Sequence, residues 1–250
     1  MEMDSGWILL LFILVGFLAQ LIDGALGMAY GLVSTSVLLA LGMPPAQASA
    51  AVHAAEMVTT GISGSAHAWF GNIDRRLLWR LVLPGMAGGI VGALLASHLP
   101  ADYLRPAVLA YLLAMGGFVL WRALRPRPLN RQPRLVPAIG SAAGFLDALG
   151  GGGWGPMATS SLLAQGASPR YTIGSVNAAE FFVTTAITAA FVSQLGLDFG
   201  LATLGLLLGG GLAAPLAAWV VTRVPRRALL LLVGVLIVVM AAVQLVLLLR

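Results

Sequence analysis

Four carboxylates stand at matched places in an otherwise apolar chain. Asp23 and Glu56 form one pair, Asp147 and Glu180 the other, each with a separation of 33 residues. The pairs lie 124 positions apart, and their surroundings repeat at the same offset. Gly27 falls on Gly151, Gly31 on Gly155, Thr35-Ser36 on Thr159-Ser160, Pro45 on Pro169 and Asp74 on Asp198. Apolar composition alone produces Leu and Ala coincidences, not an Asp and a Glu held at one separation twice. A charged group at the bilayer centre costs at least ~2.5–3.5 kcal/mol on insertion scales, so acids at that depth are candidates for ion or proton handling. Asp23 and Asp147 each also precede a Gly-rich break and a new helix, whose open amides a carboxylate can cap. The two roles are compatible, and both stand.

The breaks carry the second kind of chemistry. Gly24, Gly27 and Gly31 interrupt the first copy, and Gly150 to Gly153, Trp154 and Gly155 the second. Glycines let backbone N–H groups approach a ligand and form concave nests, and the positive end of the following helix favours an anion. The candidate substrate contacts are Gly27, Met28, Tyr30, Ser34 and Thr35 in one copy, with Gly151, Gly152, Gly153, Trp154, Thr159 and Ser160 in the other. The competing reading is close helix packing through small residues.

His53-Ala-Ala-Glu56 and Asn177-Ala-Ala-Glu180 complete the set. A spacing of three puts a polar donor and a carboxylate on one helix face. His53 adds a group that titrates near neutrality, and helix–helix hydrogen bonding is the plainer alternative. A metal site is disfavoured, because the second copy lacks the His and the chain has no Cys. Desolvation favours the neutral form of a carboxylic acid. Protons are therefore an expected coupling ion, with Glu56 and Glu180 as their carriers and Asp23 and Asp147 as further proton-coupling or structural acids. No cofactor is expected.

These residues must be positioned by membrane helices. Of 250 residues 59% are hydrophobic and 9% charged, and mean hydropathy is +0.95. Soluble domains carry about 25% charged residues, so lipid is the solvent and the bilayer a partner. All 14 basic residues are Arg and the net charge is +5. They cluster between apolar runs, which orients helices toward the cytoplasm rather than binding nucleic acid. No Cys means no disulfide framework, thiolate metal site or Cys nucleophile. The run from Trp7 lacks a basic leader and follows Glu2 and Asp4, so it reads as a membrane segment and not as a cleaved signal.

The expected architecture is an all-α polytopic membrane protein. It comprises a first repeat over 1–124, an Arg/Pro-rich cytoplasmic connector over 125–136 and a second repeat over 137–250. Each repeat is expected to hold a broken or re-entrant hairpin, made of two half-helices, and about three full spans. Arg75, Arg76 and Arg80 mark a cytoplasmic turn, as do Arg122 to Arg134 and Arg223 to Arg227, whereas the stretch equivalent to the first, Leu195 to Leu204, has no Arg. Equivalent loops with opposite bias imply inverted copies with an external N-terminus. Trp69, Trp79, Trp121 and Trp219 sit where an aromatic belt belongs. Arg170 reads as a headgroup or anion contact at one mouth.

The segments Ile22 to Gly31, Ala51 to Glu56, Gly71 to Asp74, Asp147 to Pro156 and Gly174 to Glu180 resemble the sulfite exporter TauE/SafE family. The resemblance covers nearly the whole chain in the same repeated order. It implies a bacterial inner-membrane permease for a small anionic substrate, often a sulfur oxyanion or an organosulfonate. The expected function is therefore a secondary transporter of such an anion, not an enzyme. A cation or divalent-metal permease using the four acids as ligands is the alternative, followed by a non-transporting membrane partner subunit.

The opposed loop charges make a direct prediction. With single cysteines at Asn72 and Gly196, an impermeant thiol reagent on intact cells should label position 196 and spare position 72. Equal labelling would refute inversion.

Overall fold

The computed structural model describes residues 5–124, 133–196, 200–223 and 226–248, and among them every regular element is helical. The first copy contributes α1 (Ser5–Leu26), α2 (Tyr30–Ala40), α3 (Pro45–Trp69), α4 (Arg75–His98) and α5 (Ala101–Ala123). The second contributes α6 (Val136–Gly150), a π-helical turn (Gly155–Thr159) running into α7 (Ser160–Ala164), then α8 (Pro169–Leu195), α9 (Leu201–Arg223) and α10 (Arg226–Leu248). Among the described residues five stretches are long and apolar enough to cross a membrane: Ser5–Gly24, Arg75–His98, Ala101–Ala123, Arg170–Leu195 and Leu230–Leu248. The chain is a multi-pass membrane protein.

The breaks are less even than paired half-helices. In the first copy the leading arm is a full 22-residue helix, and α2 has 11 residues. At 1.5 Å per residue α2 reaches roughly 16 Å, about half the hydrocarbon thickness. The 25-residue α3 is long enough to span yet is not among the five apolar stretches. It carries Ser49, His53, Glu56, Thr59 and Thr60, all buried. Its neighbours are protein, with α2, α8 and α9 packed around it.

Packing follows an exchange between the copies. Helix α1 lies against α9 and α6 against α4; α3 pairs with its counterpart α8, and α5 with its counterpart α10. Glycines bring these backbones together, as small residues do where lipid supplies no hydrophobic drive. A Cβ on Gly16 would strike the Leu206 carbonyl, and one on Gly144 the Gly85 carbonyl.

Arg75, Arg76 and Arg80 are exposed, and Trp69, Trp79 and Trp121 are exposed near helix ends. Glu2, Asp4, Arg125, Arg127, Arg131 and Asp198 lie outside the described residues, as do the side chains of Trp219, Arg223 and Arg226.

Candidate functional site

Each break begins with a helix that closes on glycine. Gly27 N donates to Asp23 O at 2.5 Å, and Gly151 N to Asp147 O at 2.7 Å. Both glycines are left-handed, with φ of 68° and 65°, where a Cβ is penalised. The carboxylate of the same Asp then reaches forward to the next helix. Asp147 Oδ1 accepts from Gly153 N at 2.6 Å and Trp154 N at 3.0 Å, and Asp23 Oδ1 accepts from Tyr30 N at 3.3 Å. Each carboxylate thus satisfies amides that lipid would leave bare.

The two breaks lock onto each other. Thr35 Oγ1 donates to Gly151 O, and its counterpart Thr159 Oγ1 donates to Gly27 O at 3.2 Å. Between them the chains cross backbone on backbone. A Cβ on Gly31 would lie 2.6 Å from Gly152 Cα, and one on Gly152 would fall on the Gly31 carbonyl carbon and the Leu32 amide. No side chain fits at that crossing.

All four intramembrane acids meet there. Asp23, Glu56, Asp147 and Glu180 line one cavity with Gly31, Gly152, Gly153, Trp154 and Gly155. Its volume of about 10 Å³ holds roughly one water molecule. No Arg is among the lining residues. Glu56 accepts from the Gly31 backbone, and its Oε2 has no partner. No group of three or more His, Asp or Glu among the described residues has the geometry to hold a metal ion.

His53 and Asn177 do one job alike and one differently. His53 Nδ1 faces Ser49 O at 2.7 Å, and Asn177 Nδ2 donates to Ile173 O at 3.0 Å, the same carbonyl one turn back in each copy. Only His53 reaches an acid, with Nε2 3.1 Å from Asp147 Oδ2. A carbonyl cannot donate, so Nδ1 carries a proton toward Ser49 O. Asn177 instead accepts from Ser63 Oγ at 3.2 Å and ties α8 to α3.

Of the residues singled out by sequence, Gly152, Gly153, Trp154 and the four acids line the cavity. Gly27, Gly151, Thr35 and Thr159 lock the breaks around it. Tyr30 and Trp154 anchor the two short arms, Tyr30 OH donating to Leu206 O at 2.8 Å and Trp154 Nε1 to Val176 O at 3.1 Å. Met28 is buried with its sulfur 3.9 Å from Ser160 Oγ, and Ser34 is buried with an unpartnered hydroxyl. Arg170, exposed at the start of α8, donates to Asn72 Oδ1 at 2.6 Å and to Phe70 O at 3.0 Å, tying that helix to the connection before α4. Tyr111, whose OH donates to Gly152 O at 3.2 Å, carries no sequence signal, because its counterpart at the repeat offset is Val235.

Two outcomes follow. Asp147→Ala strips an acceptor from two amides and from His53, and should cost about 1–3 kcal/mol of stability. Asp23→Ala strips backbone amides, those of Tyr30 and Ala29, but no imidazole, and should lower the unfolding midpoint in detergent less; the reverse order would contradict the capping geometry. Gly152→Val forces a side chain into the crossing, so it should abolish flux in protein that still inserts, and normal flux would show that the crossing tolerates bulk.

The match to the family "Sulfite exporter TauE/SafE" runs over residues 12–243. "Probable membrane transporter protein YtnM" of Bacillus subtilis (strain 168) is 46% identical over 238 residues, covering 90% of this chain and 79% of that protein. "Probable membrane transporter protein ORF9" of Sinorhizobium sp is 28% identical over 160 residues, covering 61% of this chain and 60% of that one. No solved structure matches the chain significantly. A family match over nearly the whole length, on a multi-pass helical fold, makes this chain a membrane transporter of the TauE/SafE sulfite exporter family.

Proposed function

We propose that the protein is a proton-coupled secondary transporter that exports a small anion, a sulfur oxyanion or organosulfonate such as sulfite, across the bacterial inner membrane. The observation that carries this reading is the meeting of both breaks and all four acids at one buried cavity. Broken helices at the interface of two repeats are where secondary transporters bind substrate. The exchange pattern of packing, α1 on α9 and α6 on α4, supports two copies of 1–124 and 137–250 inserted upside down, with the N-terminus external. The protein is read as a carrier with no reaction of its own.

The amides of Gly153, Trp154 and Tyr30 are the anion donors in this proposal. In the described state they are held by Asp147 and Asp23, so the carboxylates act as placeholders that an oxyanion displaces. The cavity must widen to admit it. With no Arg alongside, charge balance falls to protons: a protonated Glu56 or Glu180 donates to an oxyanion, while an ionised one repels it. His53 Nε2 lies 3.1 Å from Asp147 Oδ2 at the same place. The four converging acids are also what would favour a cation permease, and competing flux of sulfite, sulfonates, carboxylates and divalent cations in proteoliposomes separates the two.

Glu56→Gln and Glu180→Gln keep a hydrogen-bonding side chain and remove a titration. Each should retain substrate binding and lose the pH dependence of sulfite flux. Wild-type pH dependence in both would move coupling to His53 and Asp147. Flux of divalent cations and none of sulfite would replace the anion reading with the cation one.

A further inference from the structure

The two copies part company at the ends of the central pair α3 and α8. At one end the connection before α4 is clamped onto the start of α8. Arg170 donates to Asn72 Oδ1 and Phe70 O, Asp74 N donates to Ser175 Oγ at 2.9 Å, and Ser175 Oγ donates back to Asp74 O at 3.3 Å. Gly174 lies so close to Asn72 that a Cβ there would strike the Asn72 carbonyl. The junction is shut.

At the other end the corresponding junction, between the start of α3 and the end of α8, is a cavity of about 250 Å³. Its walls include Gln47, Ala51, Thr188, Phe191 and Thr203. Thr188 is buried in that wall, and Gln47 is exposed at it. The floor is Phe191, whose ring lies 6.3 Å from that of His53, and His53 contacts Asp147 of the four-acid cavity. Phe191 and His53 thus link the wall of the outer cavity to the acids.

The sequence accounts for the difference. At the repeat offset Arg170 corresponds to Ala46, Asn72 to Gly196 and Ser175 to Ala51. Every side chain that fastens the shut end is replaced at the open end by one that cannot hydrogen-bond. We infer that the 250 Å³ cavity is the open entrance through which the small anion reaches the breaks, and that the Arg170–Asn72–Ser175 clasp holds the opposite entrance shut and so sets which end the protein keeps open. This rests on the transport reading above for its substrate. Among the described residues the entrance is lined by no charged side chain, and Gln47 is exposed there, which suits an anion that must move on rather than stay. Release of the clasp then opens the far end, and the small residues Ala46, Ala51 and Gly196 let the near end collapse.

The chain has no native cysteine, so single thiols report each end cleanly. In purified protein in nanodiscs, Ala51→Cys should react readily with a small soluble thiol reagent. Thr172→Cys, buried in the first turn of α8 at the shut end and with no side-chain hydrogen bond to lose, should react slowly. Adding Arg170→Ala should raise the rate at position 172 by about tenfold, the scale of losing a charge-assisted hydrogen bond in a two-state balance. It should lower the rate at position 51. Asn72→Gly removes the acceptor instead of the donor and should act the same way. Equal rates at 51 and 172 in the parent, an unchanged rate at 172 in both clasp variants, or a rise at both positions together would overturn the inference. Thiol reaction needs no substrate, so a protein that exchanges ends yet carries no sulfite would fail the proposed substrate and not the clasp.

Discussion

Everything at the centre of this protein depends on one constraint: peptide groups exposed by a broken helix have no water to bond within a bilayer. Each break opens amides at the start of a short arm, and each is closed by a carboxylate from the end of the preceding helix, Asp23 for Tyr30 and Asp147 for Gly153 and Trp154. The carbonyls left over at the bends are closed across the copies, Thr35 on Gly151 and Thr159 on Gly27. Those reciprocal bonds oblige the breaks to lie against one another. Gly31 and Gly152 are glycine because nothing larger fits where the chains cross. Glu56 and Glu180 arrive at the same place because α3 and α8 flank the breaks and pack together.

The sequence displays this arrangement unevenly. Asp, Gly, Thr and Glu recurring at one offset expose the breaks, their caps and the two polar central helices, since each copy has to solve the same backbone problem. The offset also aligns all helices in pairs, with α1 facing α6 and α5 facing α10 in the numbering. What a linear repeat cannot display is contact between copies. That Thr35 bonds to Gly151 rather than to its own bend, or that His53 reaches Asp147 while Asn177 turns to Ser63, follows from the exchange of neighbours in space. Tyr111 and Arg170 are the harder cases, because neither has a counterpart of its own kind in the other copy. The unequal arms escape notice for another reason: α1 stays apolar up to Ile22, and nothing in that run distinguishes a half-helix from a full one.

Where the copies differ, the differences have direction. The second break has a π-helical turn over Gly155–Thr159 and Tyr111 on the Gly152 carbonyl, where the first has the plain α-helical start of α2 and Val235 stands at the place of Tyr111. Mid-helix π geometry commonly marks functional sites, and here it follows Pro156, which cannot donate to the helix ladder. The imidazole beside Asp147 and the amide in its place at Asn177 give the molecule one His–Asp pair rather than two. The two copies thus differ by one His53–Asp147 contact and one Arg170–Asn72 contact, an asymmetry that a strictly duplicated chain would lack.

The central claim is that the amides capped by Asp147 and Asp23 are the substrate's donors. Cryo-electron microscopy of the protein in saturating sulfite tests it most directly. The account predicts density for a pyramidal anion within hydrogen-bond distance of the Gly153 and Trp154 amides, with the Asp147 carboxylate displaced from them and the cavity enlarged. Sulfite density elsewhere, with Asp147 still bonded to both amides, would contradict it.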